Sequence, residues 1–86
     1  MAYVIVVYDV NVERQGKVRG LLKRFLTHVQ RSVFEGELTE SQIFFLKREL
    51  AKLIQNRDSI IIYVLTSKSS IKDRITLGEK EDYQVL

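Results

Sequence analysis

The sequence contains no cysteine, no proline and no tryptophan, and its only histidine is His28. Without cysteine the fold has no disulfide bond and no thiolate metal site, so its stability must come from packing and from subunit association. A metal site would use oxygen ligands or His28, and oxygen ligands suit Mg²⁺ or Mn²⁺ better than Zn²⁺. No apolar run reaches the ~18 residues of a membrane helix, and no N-terminal segment is typical of a signal peptide. We therefore expect a cytoplasmic protein with no membrane partner.

The size and charge of the chain narrow the classes of function further. Its 86 residues suffice for one compact domain, and its 45% hydrophobic and 29% charged residues exclude a disordered or collagen-like protein. The net charge is +3, but residues 1–31 alone carry +4 and the remainder carries −1. A basic surface in the N-terminal third favours a polyanion such as nucleic acid as partner. An ordinary solvated helix face would have the same composition.

The most informative segment is the apolar run that begins at Tyr3 and ends in Tyr8 and Asp9. Its Val, Ile and Tyr residues predict a strand that is buried on both faces. The carboxylate of Asp9 at its end is either a functional group held by a rigid element or a residue that shapes the following turn. This junction is the first candidate for a chemical site.

A basic amphipathic helix is predicted over residues 12–27. Its apolar residues recur at helical spacing at Val18, Leu21, Leu22 and Phe25. Its cations should form rows along the outer faces, Lys17 with Arg24 and Arg19 with Lys23. Gly16 and Gly20 each cost this helix roughly 1 kcal/mol relative to Ala, which indicates close packing or the close approach of another chain or a ligand.

The second half of the chain contains further regular elements. Residues 29–38 predict extended chain, either one long strand or two strands bent near Gly36. Thr39 and Gln42 form a capping box, which opens a second amphipathic helix that ends before residues 56–58. A second continuous apolar strand follows over residues 59–65.

This order of elements predicts a ferredoxin-like α+β sandwich, β-α-β-β-α-β, as a single domain over residues 1–77. In that topology residues 59–65 lie at a sheet edge, and they are too apolar to be left open to solvent. We expect the C-terminal extension of the same chain or of a symmetry mate to cover this edge. The tail, residues 78–86, should therefore be a strand docked on its own or a partner subunit, and we predict a homodimer.

Four segments, read together, resemble one known family. They are Tyr3 to Asp9, the basic helix, Val-Gln-Arg-Ser-Val-Phe-Glu over residues 29–35, and residues 57–63. The family is that of the small CRISPR-associated nucleases, the second of the two adaptation proteins, whose hallmarks are a strand ending in Tyr-Asp and a Gln-x-Ser-Val-Phe-Glu segment. The resemblance extends from Ala2 to about Leu65. It implies a ferredoxin-like homodimer that acquires CRISPR spacers with the adaptation integrase, and a metal-dependent endonuclease acting on single-stranded RNA or double-stranded DNA.

The resemblance also implies roles for individual residues. Asp9 would be the catalytic metal ligand and would face its twin across the dimer axis, where two carboxylates can hold Mg²⁺ or Mn²⁺. Tyr8 and Ser32 are the further catalytic candidates, although a place in the core is the better interpretation of Tyr8. Phe34 would pack against the partner subunit. Together with the charge layout, the resemblance assigns nucleic-acid contacts to Arg14, Lys17, Arg19, Arg24 and Arg31.

The chain departs from the family pattern at His28, where some members have an arginine before the glutamine. The role of that arginine falls to His28 or Arg31, or is absent. His28 could act as a general acid or base, but a lone histidine at a strand entrance is more often structural.

Three alternative functions stay open at this point. The first is a non-catalytic dimeric scaffold that binds duplex DNA and docks the integrase. The second is a toxin-like ribonuclease of the same fold, and the third is a ferredoxin-like RNA-recognition or regulatory domain. The RNA-recognition version requires exposed aromatic residues in an RNP-type motif, which this sequence lacks.

Overall fold

The computed structural model describes residues 1–78, which form a four-stranded antiparallel sheet with two helices packed on one face. The elements are β1 (Ala2–Asp9), α1 (Val12–Lys23), β2 (Thr27–Gln30), β3 (Val33–Leu38), α2 (Glu40–Leu53) and β4 (Ser59–Leu65). The strand order is β2-β3-β1-β4, and each neighbouring pair is antiparallel. The predicted ferredoxin-like sandwich is confirmed, and β4 lies at a sheet edge as expected. The strand predicted for the tail, residues 78–86, lies outside the described residues except for Gly78.

The core lies between the sheet and the helices. Successive side chains of a strand point to opposite faces, so Val4, Val6 and Tyr8 of β1 all face the helices, where they are buried. The other buried residues of this core include Val18, Leu22, Phe34, Leu38, Leu46 and Leu50. On the opposite face, Ile5 and Val7 are both only partly buried. The expectation that β1 is buried on both faces therefore holds completely for the helix-facing side only.

The first helix is shorter than its apolar periodicity predicts. The Asn11 side chain begins it by accepting a hydrogen bond from the Glu13 N–H at 3.0 Å. The helix ends at Lys23. The chain then forms a tight turn, in which the N–H groups of Phe25 and Leu26 both donate to the Leu22 carbonyl, at 3.0 and 2.9 Å. Phe25 thus continues the helical spacing after the helix itself has ended.

The chain reverses between β2 and β3 at Arg31 and Ser32, and Arg31 takes a left-handed φ of 38°. The alternative of two strands is correct, but the predicted bend near Gly36 is wrong. Gly36 lies inside β3, opposite Val4. A Cβ atom there would lie 3.1 Å from Leu26 Cδ2, so the glycine makes room for the packing of Leu26.

The second helix begins with the predicted capping box. The Thr39 hydroxyl accepts from the Gln42 N–H at 3.1 Å, and the Gln42 Oε1 accepts from the Thr39 N–H at 2.8 Å. No helix in residues 1–78 is long and apolar enough to cross a membrane.

After β4 the chain makes one 3₁₀ turn, Lys68–Ser70, and then reaches β3, where Arg74 forms an ion pair with Glu35. Glu35 lies on the far side of β1 from β4. The described part of the extension therefore leads away from the edge that it was expected to cover. Within residues 1–78, no strand pairs with the outer edge of β4.

Candidate functional site

Asp9 is the exposed last residue of β1, and it lies beside Ser59 at the start of β4. By the alternation of the strand it belongs to the sheet face that the helices leave open, the face of Ile5 and Val7. No residue between 1 and 78 forms a hydrogen bond or an ion pair with its carboxylate. The group is therefore accessible to a cation or to a second protein chain.

Tyr8, the neighbour of Asp9, points to the opposite face of the sheet. Its side chain is only 5% exposed, and its ring centroid lies 6.3 Å from that of Phe34. Its backbone N–H donates to the carbonyl of Ser32 at 3.1 Å, which ties the end of β1 to the β2–β3 turn. The structure thus brings the catalytic candidates Tyr8 and Ser32 together, and it separates both from Asp9.

A pocket of about 330 Å³, here called the cationic pocket, opens between α1 and the β2–β3 turn. Its lining residues are Tyr8, Gln15, Arg19, Lys23, His28, Arg31 and Ser32. Three of these side chains carry a full positive charge, and none carries a carboxylate. The pocket thus collects the predicted nucleic-acid contacts Arg19 and Arg31, with the addition of Lys23.

His28 and Phe34 form the packed base beside this pocket. The two rings are stacked, with 4.2 Å between centroids and 8° between planes, and His28 Nε2 donates to the Arg31 carbonyl. His28 is buried, which matches the structural interpretation of this histidine. Phe34 is completely buried and lies beside Val6 on the helix-facing side of the sheet. The prediction that Phe34 packs against a partner subunit is therefore wrong, because the side chain belongs to the core of its own chain.

Lys17 and Arg24 lie on another side of α1 from the cationic pocket. With Gly20, Lys52 and residues of both helices they line a shallow depression between α1 and α2, here called the helix groove. The two cation rows expected from the sequence are present, and they face different surfaces. Apart from its chain neighbours and the backbone of its own helix, no atom of the described residues lies within 4 Å of a Cβ built on Gly20. The close packing considered for this glycine is absent there, while the approach of a ligand stays a prediction.

Arg14 was expected to contact nucleic acid, but it forms an ion pair with Asp58. Its Nε and Nη2 donate to the two carboxylate oxygens at 2.6 and 3.1 Å. The backbone N–H groups of Asn11 and Gln55 donate to the same carboxylate at 3.0 and 2.9 Å. The bond from Arg14 holds the pKa of the Asp58 carboxyl well below its usual range, although burial opposes this shift. A phosphate contact of Arg14 stays a prediction, and it would compete with this ion pair.

The part played by Asp58 was missed at the level of the sequence, where residues 56–58 marked only the end of a helix. Its carboxylate fastens the β1–α1 turn to the α2–β4 turn, directly beside Asp9 and Ser59. The only local signal is an aspartate placed between a helix and an apolar strand. Its partner Arg14 is 44 positions away in the chain.

The donor set for a metal ion is small. Among residues 1–78, no three His, Asp or Glu side chains come close enough together to hold a metal ion. The exposed carboxylate of Asp9 suits a hard cation such as Mg²⁺, but one chain offers only this ligand there. A metal bound at Asp9 would thus need further oxygen atoms from a second chain, a substrate phosphate or water.

Comparisons with known proteins agree with this fold and with the motifs. Residues 1–72 match the family model described as CRISPR associated protein Cas2. The CRISPR-associated endoribonuclease Cas2 of Nanoarchaeum equitans (strain Kin4-M) is 53% identical over 83 residues, which cover 96% of this chain and 91% of that protein. A protein with the same name from Methanosarcina acetivorans is 48% identical over 77 residues, which cover 88% of this chain and 82% of the relative.

Solved structures give the same result. A crystal structure of Cas2 superposes with a TM-score of 0.89 at 41% identity, covering 99% of this chain and 95% of the other. The Streptococcus pyogenes Cas2 structure at pH 6.5 has a TM-score of 0.76 at 35% identity and covers 88% of this chain and 99% of its own. The chain therefore belongs to the Cas2 family of CRISPR-associated proteins.

Proposed function

We propose that this protein is a metal-dependent endonuclease of CRISPR adaptation, which acts as a homodimer and works with the adaptation integrase. The observation that carries the proposal is the exposed, unbonded carboxylate of Asp9 on an apolar sheet face. The relatives of this protein are named endoribonucleases, which favours single-stranded RNA as the substrate. Double-stranded DNA is the second candidate. We expect it to act in the cytoplasm.

The open face of the sheet supports the proposed homodimer. On β4, Ile61 and Tyr63 are 50% and 54% exposed, and they lie beside Val7 and Ile5 of β1. A contiguous apolar face of this kind marks an interaction surface in a protein of this size. A second copy of the chain would cover it through a twofold interface, which brings the same residues of both subunits together. Asp9 lies at the end of this face, so the two carboxylates would meet.

Two facing Asp9 carboxylates would hold Mg²⁺ or Mn²⁺ together with oxygen atoms of the bound phosphodiester. When bound, the cation would polarise the phosphodiester and relieve the repulsion between the carboxylates. The residues of the chain have two tasks in this proposal. Asp9 would supply the carboxylate that holds the cation, and the cations of α1 would hold the nucleic-acid backbone.

A second candidate function is a DNA-binding scaffold without catalysis. It is favoured by the helix groove, where Lys17 and Arg24 face solvent beside the ion pair of Lys52 with Glu49. Such cations contact phosphates and carry no sequence readout. Scaffold and nuclease functions can coexist in one dimer. Membership of the Cas2 family supports both of them over a toxin-like ribonuclease or a regulatory domain.

The test is a cleavage assay on labelled single-stranded RNA and duplex DNA with Mg²⁺, Mn²⁺ or EDTA. It compares the parent protein with Asp9→Asn and with Asp73→Asn, which changes an exposed carboxylate elsewhere. We expect the metal-dependent signal to disappear in Asp9→Asn alone. If parent and Asp9→Asn are equally inactive while both bind duplex DNA, the scaffold function replaces the nuclease. Cleavage that persists in Asp9→Asn would remove Asp9 from the mechanism.

A further inference from the structure

Phe44 and Phe45 of α2 are exposed, at positions of the helix that the core does not use. The side of α2 that meets the sheet is formed by residues such as Leu46 and Leu50, which are buried. Phe44 is 60% exposed and Phe45 is 39% exposed, although contact of large apolar side chains with water is unfavourable. Two consecutive phenylalanines left open in this way indicate a surface that meets a ligand or a partner.

The exposed rings continue onto the chain that follows α1. The partly buried ring of Phe25 lies against Phe45, with 5.8 Å between ring centroids and 53° between planes. Phe25, Phe44 and Phe45 together are here called the aromatic ridge. Because Phe25 also packs against the core, it holds the Phe45 end of the ridge in place. A ligand would therefore meet a preformed surface.

An arginine lies over a ring at each end of the aromatic ridge. The guanidinium carbon of Arg24 is 5.7 Å from the centroid of Phe25, and that of Arg48 is 5.8 Å from the centroid of Phe44. Both distances are typical of cation–π contacts. Within residues 1–78, neither guanidinium forms an ion pair with a carboxylate. Their hydrogen-bond donors are therefore available to an anionic group that lies beside the rings.

The charges that border the ridge on α2 favour an anion as well. Lys47 and Arg48 follow Phe44 by three and four residues, so they are its neighbours on the helix surface. Of the two acidic residues of α2, Glu49 forms an ion pair with Lys52 at 3.0 Å. The other, Glu40, lies in the first turn, where a negative charge stabilises the helix. The surface beside the rings is therefore mainly cationic.

Aromatic rings bordered by arginines are suited to single-stranded nucleic acid. Its bases stack on aromatic side chains, and cations beside the rings contact the phosphates between the bases. Every base has an aromatic face, so this binding requires no particular sequence. The bases of a duplex are already stacked on one another and are not available to the rings. An apolar patch of a partner protein would cover the rings but would leave both arginines without an anionic group.

The aromatic ridge lies on the outer surface of the proposed homodimer. Two copies that meet through their open sheet faces keep the helices outside, because the helices pack on the opposite face of the sheet. The ridge also lies at the far end of α1 from Asp9, since this helix has 12 residues and is about 18 Å long. Arg24 belongs both to the ridge and to the helix groove. The ridge therefore adjoins the surface proposed for the nucleic-acid backbone.

We propose that the aromatic ridge binds single-stranded nucleic acid, with bases stacked on Phe44 and Phe45 and with Arg24 and Arg48 on the adjoining phosphates. The inference rests on the proposed function in so far as nucleic acid is the ligand, but it concerns a surface apart from Asp9. The ridge would distinguish single strands from duplexes. Neither phosphate contacts in the helix groove nor a cation at Asp9 supplies this property.

The experiment measures the affinity of the full chain for two labelled single strands by fluorescence anisotropy, in EDTA to prevent metal-dependent cleavage. One strand is an oligothymidylate, and the other has the same length with abasic sites in place of the bases. Both strands carry the same phosphates, so the difference between their affinities measures the contribution of the bases. We expect the oligothymidylate to bind about tenfold more tightly than the abasic strand.

Variants assign this preference to the ridge. Phe44→Ala should reduce it by about fivefold or more, while the affinity for the abasic strand stays nearly constant. Phe44→Leu keeps an apolar side chain without a ring and should lose the preference as well, whereas Phe44→Tyr should retain it. Val12→Ala is the matched control, because Val12 is 75% exposed at the other end of α1. It should change the affinity for neither strand.

Equal binding of the two strands by the parent would overturn the inference and leave the nuclease function, tested through Asp9→Asn, intact. A preference that survives when Phe44 and Phe45 are both replaced by alanine would also overturn it, because the bases would then stack elsewhere. If this double variant binds both strands like the parent but loses affinity for the adaptation integrase or becomes monomeric, a protein covers the ridge and the inference is wrong. If the parent binds neither strand and no duplex, the proposed function and the inference fail together.

Discussion

Asp58 accepts two hydrogen bonds from the guanidinium of Arg14, and only 2% of its side chain is exposed. The ion pair joins the first turn of α1 to the turn that precedes β4. Ser59, the next residue, lies beside Asp9 at the ends of these two strands. The pair therefore fixes the part of the backbone that presents the candidate metal ligand, without touching that ligand itself.

This ion pair should make the stability of the fold depend on pH. The folded state lowers the pKa of Asp58, so its contribution is fully present above the pKa of the unfolded chain, about 4, and is lost as the pH falls towards the lower folded value. We expect Asp58→Asn to lower the melting temperature at pH 7 by about 5 °C or more. The difference from the parent should narrow below about pH 4. Thermal unfolding followed by circular dichroism from acidic to neutral pH measures both effects.

The exposed carboxylate of Asp73 provides the control for this prediction. Asp73→Asn should leave the melting temperature nearly unchanged across the same pH range, because surface substitutions away from packed or bonded groups have small effects. A constant gap between the parent and Asp58→Asn across the whole pH range would show that the carboxylate charge has no part in the stabilisation.

A second stability prediction concerns a glycine of α1. Apart from its chain neighbours and the backbone of its own helix, no atom of the described residues would lie within 4 Å of a Cβ atom placed on Gly16, so Gly16→Ala should meet no steric obstacle. Alanine favours the helix by about 1 kcal/mol relative to glycine. The melting temperature should rise by about 4–8 °C, as measured by calorimetry. Gly36→Ala is the contrast, since its Cβ would lie 3.1 Å from Leu26 Cδ2, and we expect little or no gain there. A fall in stability for Gly16→Ala would indicate that this position packs against a second chain.

Local patterns were sufficient to predict β1, α2 and β4. The capping box of Thr39 and Gln42 and the two apolar runs act within a few residues of one another. Features that depend on distant residues were not predicted. The glycine at position 36 looked like a bend, but it is required by the packing of Leu26. The turn instead uses Arg31, which is an uncommon residue at a positive φ.

In the candidate functional site, too, features set by local sequence could be predicted, and features set by distant residues could not. Asp9 could be identified because the end of an apolar strand is visible in the sequence, and the cation rows follow from the helical repeat. The position of Phe34 depends on which face of β3 meets the helices, and the register that places it beside Val6 is a tertiary property. The cationic pocket also forms only when the β2–β3 turn packs against α1. Its lining residues span positions 8 to 32, and no local spacing connects them.

The helix groove predicts a salt-dependent interaction with duplex DNA. Replacement of Lys17 or Arg24 by alanine should weaken duplex binding and reduce the slope of log affinity against log salt by about one for each cation that is removed from a phosphate. Anisotropy titrations at several salt concentrations give this slope. Lys47→Ala is a suitable control, because Lys47 of α2 lines a separate depression between α2 and β4 and not the helix groove. If Lys17→Ala and Lys47→Ala change the slope equally, the groove is not the preferred path of the duplex.

The open sheet face predicts where the homodimer forms. Tyr63 is 54% exposed on β4 beside Ile5, and Phe44 is 60% exposed on α2, on the other side of the molecule. Tyr63→Glu would place a charge in the apolar contact between two sheets, where its desolvation is unfavourable. We therefore expect Tyr63→Glu to be monomeric and Phe44→Glu to remain dimeric in sedimentation experiments.

The monomeric Tyr63→Glu variant should also lose metal-dependent cleavage, because each subunit then offers only one carboxylate, that of its own Asp9. If Tyr63→Glu stays dimeric, the two chains meet on another surface, and the proposal that two Asp9 carboxylates share a cation loses its geometric basis.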